Sequence, residues 1–330
     1  MQRQLTFQVN HAVADASYAE IFSEDLDRAL GGQQLHTHVN YKIWGDAYFS
    51  LKTSLEAKVQ VNWHLSRLKG LADHRRAIFP PTESLVPGFN HHEVAEVDGF
   101  PHQFDAPGFH DIRKRIRNTS QSVVLKSAYA LLNVHITGHT HALFSNAEAS
   151  RTTLPFIPKA LFTLSNFEAT DVAGACFESV INLVEIRPHE KVINFIRRMQ
   201  DDQSNLTAYG SAPWLEILKG LNAEDASVMP QIPRTQIFNW VPGMGTTGTN
   251  PYQNFERVTM AARPEVGLVI NSGVGGPEGW TVFLHMRGTF VDEHRDKTRE
   301  IAHKLEKITQ WITKEENWNV EVSKFVECLQ

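Results

Sequence analysis

Cysteine is scarce: Cys176 and Cys328 are the only two in a chain of 330 residues and lie far apart, so neither a disulfide framework nor a clustered thiolate metal site is encoded. No stretch approaches the roughly 18 apolar residues of a membrane-spanning helix, and the first residues lack the charged-then-apolar pattern of a secretory signal. A soluble protein of the reducing cytoplasm is the expectation. Long basic runs are missing too, the net charge is −5, and aromatics are not interleaved with Lys or Arg, so neither nucleic acid nor a membrane is an expected partner. No GxSxG elbow occurs, which removes the support for a Ser-His-Asp hydrolase. There is no internal repeat and no low-complexity tract. What is present is ordinary for a globular protein, 42% hydrophobic and 21% charged residues, in a length that exceeds one typical domain and suggests one large or two medium units.

Apolar periodicity orders these units. Leu5 to Val9 alternates as a half-buried strand, and Ser17 to Leu30 has the spacing of an amphipathic helix. Val39 to Leu71 reads as two helices joined near Thr53-Ser54. Prolines, glycines and acidic residues from Ile78 to Gly108 predict a long exposed linker with at most one strand. Helices are expected over Phe109–Arg117, Ser122–Thr137, Glu190–Leu206 and around Trp214–Leu221. Strands are expected over His141–Asn146, Val180–Ile186, Thr235–Val241, Arg257–Ala261, Val266–Ser272 and Trp280–Phe290. Glu293 to Thr313, with Ile301, Leu305, Ile308 and Ile312 along one face, predicts a long closing helix. This order implies a mixed α+β fold.

Where the first strand ends and the first helix begins stands Asn10-His11-Ala12-Val13-Ala14-Asp15. A short loop there can aim the His11 imidazole into a cleft while Asp15 turns back to brace the loop. A neutral imidazole, with an ordinary pKa of about 6.5, can take a proton from an attacking amine or alcohol, or hold the nucleophile and stabilise a tetrahedral intermediate. By itself, a His followed four residues later by an Asp is a weak motif, and a solvated loop histidine is the bland alternative.

Further blocks agree with it in order. Asn10 to Ala16 resembles HHxxxDG, with Asn10 in place of the first His and Ala16 in place of Gly. Tyr41-Lys-Ile-Trp44, Trp63 to Leu68, Val124 to Leu132, Ala142 to Arg151, Gly174 to Arg187 and Ile237-Phe-Asn239-Trp240 follow. Together they resemble the condensation domains of nonribosomal peptide synthetases, in their fungal forms, within the chloramphenicol acetyltransferase-like superfamily. Glu185 stands where that family usually has proline. The resemblance lacks the family's N-terminal portion, so it implies a two-lobed acetyltransferase-like fold with an incomplete first lobe. Residues 1–108 would be the remainder of the N-terminal lobe and its crossing linker, and 109–330 the C-terminal lobe.

The resemblance also implies a chemistry. Thioesters of phosphopantetheine, on carrier protein domains, or of coenzyme A would be substrates, with no cofactor bound directly, and His11 would be the catalytic residue. Asp15 would pair with Arg151 in an architectural role. Asn239 and Trp240, with Asn10 and Ala16, would line the substrate or pantetheine path; Asn239 reads equally as a satisfied strand-end asparagine. Ala16 would be strained if the backbone there needed a positive φ, and would otherwise narrow the cleft. The product would be an amide or ester of secondary metabolism. The competing functions are a noncatalytic module that docks carrier proteins and a coenzyme A-dependent O-acyltransferase. An incomplete first lobe would favour self-association, or dependence on a complementing N-terminal fragment.

Rival motifs fare less well. Gly243-Met-Gly245-Thr-Thr-Gly248 matches GxGxxG, but Asn250-Pro251 follows where a dinucleotide loop needs a helix N-terminus. His91-His92 to Asp98-Gly99 imitates HHxxxDG with one residue too many, inside the linker. Among the 16 histidines, the pairs His36/His38, His91/His92 and His139/His141 invite a metal, but no nearby Cys or carboxylate completes a compact ligand set, so no metal is expected.

Overall fold

The computed structural model describes residues 7, 14–51, 54–81, 99–116, 118–149, 171–210, 212–241, 244, 252–256, 266–288 and 294–330. The chain forms two compact units, each assembled from separated stretches: Met1–Val59, Ala149–Glu178 and Gly248–Met260 in the smaller, and Gln60–Glu148, Ser179–Thr247 and Ala261–Gln330 in the larger. Segments on either side of residue 108, the boundary expected between lobes 1–108 and 109–330, pair in one sheet of the larger unit.

In the smaller unit, α1 (Ala16–Leu30) starts on the Asp15 cap and ends at Gly31. A two-residue strand, β1 (Val39–Asn40), leads into α2 (Tyr41–Leu51), while α3 (Leu55–Arg67) leads out toward the larger unit. The break between these two helices is where Thr53-Ser54 predicts it. Tyr41, Trp44 and Tyr48, spaced three and four apart, share one face of α2 and stack with ring centroids 5.3 and 5.2 Å apart. β4 (Val172–Ala173) pairs in parallel with β1. At Gly174 an added Cβ would lie 2.2 Å from the Tyr41 ring, so glycine is what lets the backbone pass beneath it.

The larger unit is built on a six-stranded mixed sheet: β2 (Phe100–Asp105), β3 (His141–Ala149), β5 (Phe177–Glu185), β6 (Gln236–Trp240), β7 (Leu268–Gly275) and β8 (Thr281–Gly288), in the order β2-β8-β7-β6-β3-β5. β2, β8 and β7 are antiparallel neighbours, whereas β6 is parallel to both β7 and β3. Along β8 every second residue is buried, Val282, Leu284, Met286 and Gly288, because one face of the strand meets the core.

Around this sheet lie α4 (Gly108–Arg115), α5 (Gln121–Thr137), α6 (Val192–Tyr209), α7 (Trp214–Gly220), α8 (Ala223–Val228), α9 (Ile232–Thr235) and α10 (His294–Thr313). All residues from Val123 to Val134 are buried, since α5 packs between α6 and α10 and has no long solvated face. Ser120 caps its start, and Gly138, at φ 70°, ends it in the left-handed conformation that costs glycine nothing. Ile301, Leu305, Ile308 and Ile312 of α10 are buried as their spacing requires.

The exposed linker expected over Ile78–Gly108 is corrected at both ends. Ile78 is buried and bridges Leu143, and the one predicted strand is β2, an edge of the main sheet that buries Phe104 ahead of the buried Ala106. The expected strands Leu5–Val9 and Arg257–Ala261, the His91/His92 decoy and nearly all of the GxGxxG segment lie outside the described residues. Short elements escaped the sequence pattern: the 3₁₀ turns Leu71–Ala77 and Val322–Leu329, and α8, although Asn222 caps α8 by accepting from the Asp225 N–H as an Asn-x-x-Asp pattern allows. Among the described residues no helix is long and apolar enough to cross a membrane.

Candidate functional site

His11 and Asn10 lie outside the described residues, and the motif's aspartate is where its geometry becomes visible. Asp15 caps α1: its backbone carbonyl accepts from Ala19 N–H at 2.9 Å, and Oδ1 accepts from Tyr18 N–H at 2.9 Å. Oδ2 reaches out of the helix to accept from Cys176 N–H at 2.8 Å. One carboxylate thus fixes the start of α1 and ties it to the segment entering β5. A negative charge at this end is also favoured by the helix dipole. The geometry is that of a brace, and the residue four positions before it is His11. Arg151, the counter-charge expected for Asp15, lies outside the described residues. Ala16 is the first residue of α1.

Close by in sequence to the Cys176 anchor is Glu178. Burial pushes its carboxyl up to about 8, so it is largely protonated at neutral pH, and among the described residues Oε1 has no hydrogen-bond partner. The Tyr48 hydroxyl is likewise raised, by burial first and by the nearby Glu178 charge second. A carboxyl tuned to this range can both give and take a proton, as a satisfied structural carboxylate cannot. Its shift was not legible in the sequence, because burial is a property of the folded chain.

In the larger unit, Asn239 of β6 faces Asn271 of β7 in register, and its Nδ2 donates to Asn271 Oδ1 at 2.9 Å. Ser272 Oγ donates to the Asn239 carbonyl at 3.0 Å. The bond to Asn271 takes one of the two N–H donors of the Asn239 amide. Trp240 is half-buried and packs against the main core.

A second polar group, behind the sheet, was missed by the sequence reading. Lys126, fully buried in α5, donates from Nζ to Gln203 Oε1 at 2.7 Å and to Asn146 Oδ1 at 3.3 Å. Asn182 donates to the same Asn146 oxygen at 2.5 Å, and Gln203 donates to Glu148 at 2.9 Å. Burial lowers the Lys126 ammonium to about 8 against the opposing pull of Glu148. Asn146 and Asn182 stand in two of the blocks that carry the family resemblance, and here they meet in one network joining α5, α6, β3 and β5. Such a network holds its strands in a single arrangement, because any slip leaves buried polar groups unpaired.

Of the histidine pairs, His36/His38 and His139/His141 lie among the described residues. His38 Nε2 meets Asp25 Oδ2 at 2.8 Å, the His36 backbone N–H donates to Asp25 Oδ1 at 3.4 Å with its ring edge-on to that of His38, and His141 lies against His74. His64 is buried and bonds the Tyr209 carbonyl at 3.1 Å; burial lowers it to about 4, which keeps it neutral.

No protein-family model matches the sequence, and no curated protein matches it. Solved structures do. The first condensation domain of the CDA synthetase superposes with a TM-score of 0.60 at 11% identity, covering 96% of this chain and 64% of that one. The X-domain from teicoplanin biosynthesis gives 0.64 at 13% identity, with 96% and 70% covered. The epimerization domain from the third module of tyrocidine synthetase B gives 0.58 at 14%, with 92% and 68% covered. The chain therefore has the mixed α+β fold of condensation domains and spans about two thirds of the length of these neighbours.

Proposed function

We propose that this protein is a condensation-type acyltransferase that joins a carrier-bound acyl or peptidyl thioester to an amine or hydroxyl nucleophile. The observation that carries this reading is the double hydrogen bond of Asp15, the last residue of the His11–Asp15 motif, to Tyr18 N–H of α1 and to Cys176 N–H. In the proposed reaction the neutral His11 imidazole accepts the proton of the attacking nucleophile, or holds that nucleophile against the thioester carbonyl, and the thiol of the phosphopantetheine arm leaves. Asp15 keeps the loop in place and does not touch the reacting atoms. Asn239 has a second N–H to offer toward the developing oxyanion or the pantetheine arm.

The test is amide or ester formation from an acyl-loaded carrier protein and a panel of amine and alcohol acceptors, followed by mass spectrometry. Turnover is expected with the intact chain and its loss with His11→Ala. Turnover retained by His11→Ala overturns the mechanism. Transfer from acyl-coenzyme A without a carrier would assign the protein to coenzyme A-dependent O-acyl transfer instead.

One observation favours a second reading, a noncatalytic module that docks carrier proteins: the Asn239 amide already bonds Asn271 inside the sheet. Carrier binding without turnover for any acceptor would establish that reading.

A further inference from the structure

On the larger unit, three side chains from two elements converge. β2 is the edge strand, and its alternation turns Phe100, His102 and Phe104 toward the same face, with Phe104 buried in the core. α10 crosses that face. His303 and Glu306 stand three residues apart on the helix and so project side by side. Glu306 Oε2 lies 2.7 Å from His102 Nε2 and 3.5 Å from His303 Nδ1, and the three ligand atoms all fall within 4.8 Å of one another. The two imidazoles meet edge to face, with centroids 4.7 Å apart.

A hydrogen bond between His102 and Glu306 alone would not need His303 turned to the same carboxylate oxygen. Two imidazoles and one carboxylate are a donor set for zinc and related divalent transition ions, and three protein ligands leave one position for water. Tetrahedral zinc, with bonds of about 2.0–2.1 Å, separates its donors by about 3.3 Å, inside the span these atoms cover. The exposures suit entry from solution: His102 is 12% exposed at the base, Glu306 25%, and His303 55% at the rim. Arg299, one turn earlier on α10, has its guanidinium on Asp296 at 3.0 Å and over the Phe100 ring, so its charge is engaged.

We propose that His102, His303 and Glu306 bind a divalent transition metal of the zinc class, which clasps the edge strand β2 to α10 and keeps one solvent-facing coordination position.

Chelator-treated full-length protein titrated with Zn²⁺ and with Co²⁺ tests this. The expected result is one ion per chain, a rise in melting temperature with Zn²⁺, the intense visible absorption of low-coordinate Co²⁺, and no effect of Mg²⁺ at equal concentration. His303→Ala removes a half-exposed side chain and should leave the metal-free melting temperature unchanged while weakening binding by about tenfold or more; Glu306→Gln should do the same to affinity. A double variant, His36→Ala with His38→Ala, should bind as the unaltered chain does. Binding unchanged by His303→Ala and Glu306→Gln, or no saturable binding up to about 100 times the protein concentration, overturns the proposal. Loss of binding in the His36/His38 variant instead would overturn it equally, by moving the ion to the Asp25 side of the molecule.

Discussion

Asp15 and Cys176, 161 residues apart in sequence, are joined by a 2.8 Å hydrogen bond from the Cys176 N–H to the Asp15 carboxylate. The bond connects two of the sequence blocks that together resemble the condensation-domain family, Asn10 to Ala16 and Gly174 to Arg187. It ties the start of α1 to the residue before β5.

Removing this carboxylate should cost stability in two parts. Asp15→Ala loses a helix cap, about 1 kcal/mol, and the charge-assisted hydrogen bond from the Cys176 N–H, about 1.5–3 kcal/mol, so a loss of about 2–4 kcal/mol is expected in urea unfolding. Asp15→Asn keeps a good cap and should lose less. Equal, sub-kilocalorie losses in both variants would show that the brace does not form.

Glu178 should make stability fall as pH rises. Its carboxyl titrates near 8 when folded and near 4.5 when unfolded, so the folded state holds the extra proton between those values. The stabilisation is complete below pH 4.5 and is lost as pH climbs through 8. Glu178→Gln, which carries no charge, should match the unaltered chain near pH 4 and exceed it by on the order of 4 kcal/mol at pH 8. Parallel stability curves for the two proteins would refute the assigned burial.

His64 should act in the opposite direction. Its imidazole titrates near 4 when folded and near 6.5 when unfolded, so its contribution is present above pH 6.5 and disappears as pH falls toward 4. Between pH 7 and pH 4 the unaltered chain is expected to lose about 3 kcal/mol more than His64→Gln, as measured by denaturant unfolding at each pH. The variant keeps an N–H donor for the Tyr209 carbonyl and removes only the titration.

The two roles of Asn239 separate in a double-mutant cycle. Asn239→Ala and Asn271→Ala should show a coupling of about 1 kcal/mol in stability, since either change deletes the same hydrogen bond. If Asn239 also contacts the intermediate, kcat should fall in Asn239→Ala and hold in Asn271→Ala. Equal turnover in both would leave the asparagine a purely structural role.

Much of the architecture was legible because it is written locally. The apolar stripe of Ile301, Leu305, Ile308 and Ile312, the helix break at Thr53-Ser54, and the alternation of β8 each follow from neighbours within a few residues. The Ile78–Gly108 stretch was misread for the complementary reason. Its prolines and glycines resemble a surface linker, and only pairing with β8 shows that part of it is a sheet edge.

From the sequence alone came the order and faces of the long elements, the His11–Asp15 motif, and a resemblance whose fold the solved structures share. Periodicity and motif spacing are properties of adjacent residues, and they survive without knowledge of the rest of the chain. The tertiary structure alone decided the partner of Asp15 across 161 residues, the protonation of Glu178 and Lys126, and the meeting of His102 with His303 and Glu306. Each of these depends on which distant segments exclude water or supply a charge at a given atom, and burial of that kind is set only when the chain has closed on itself.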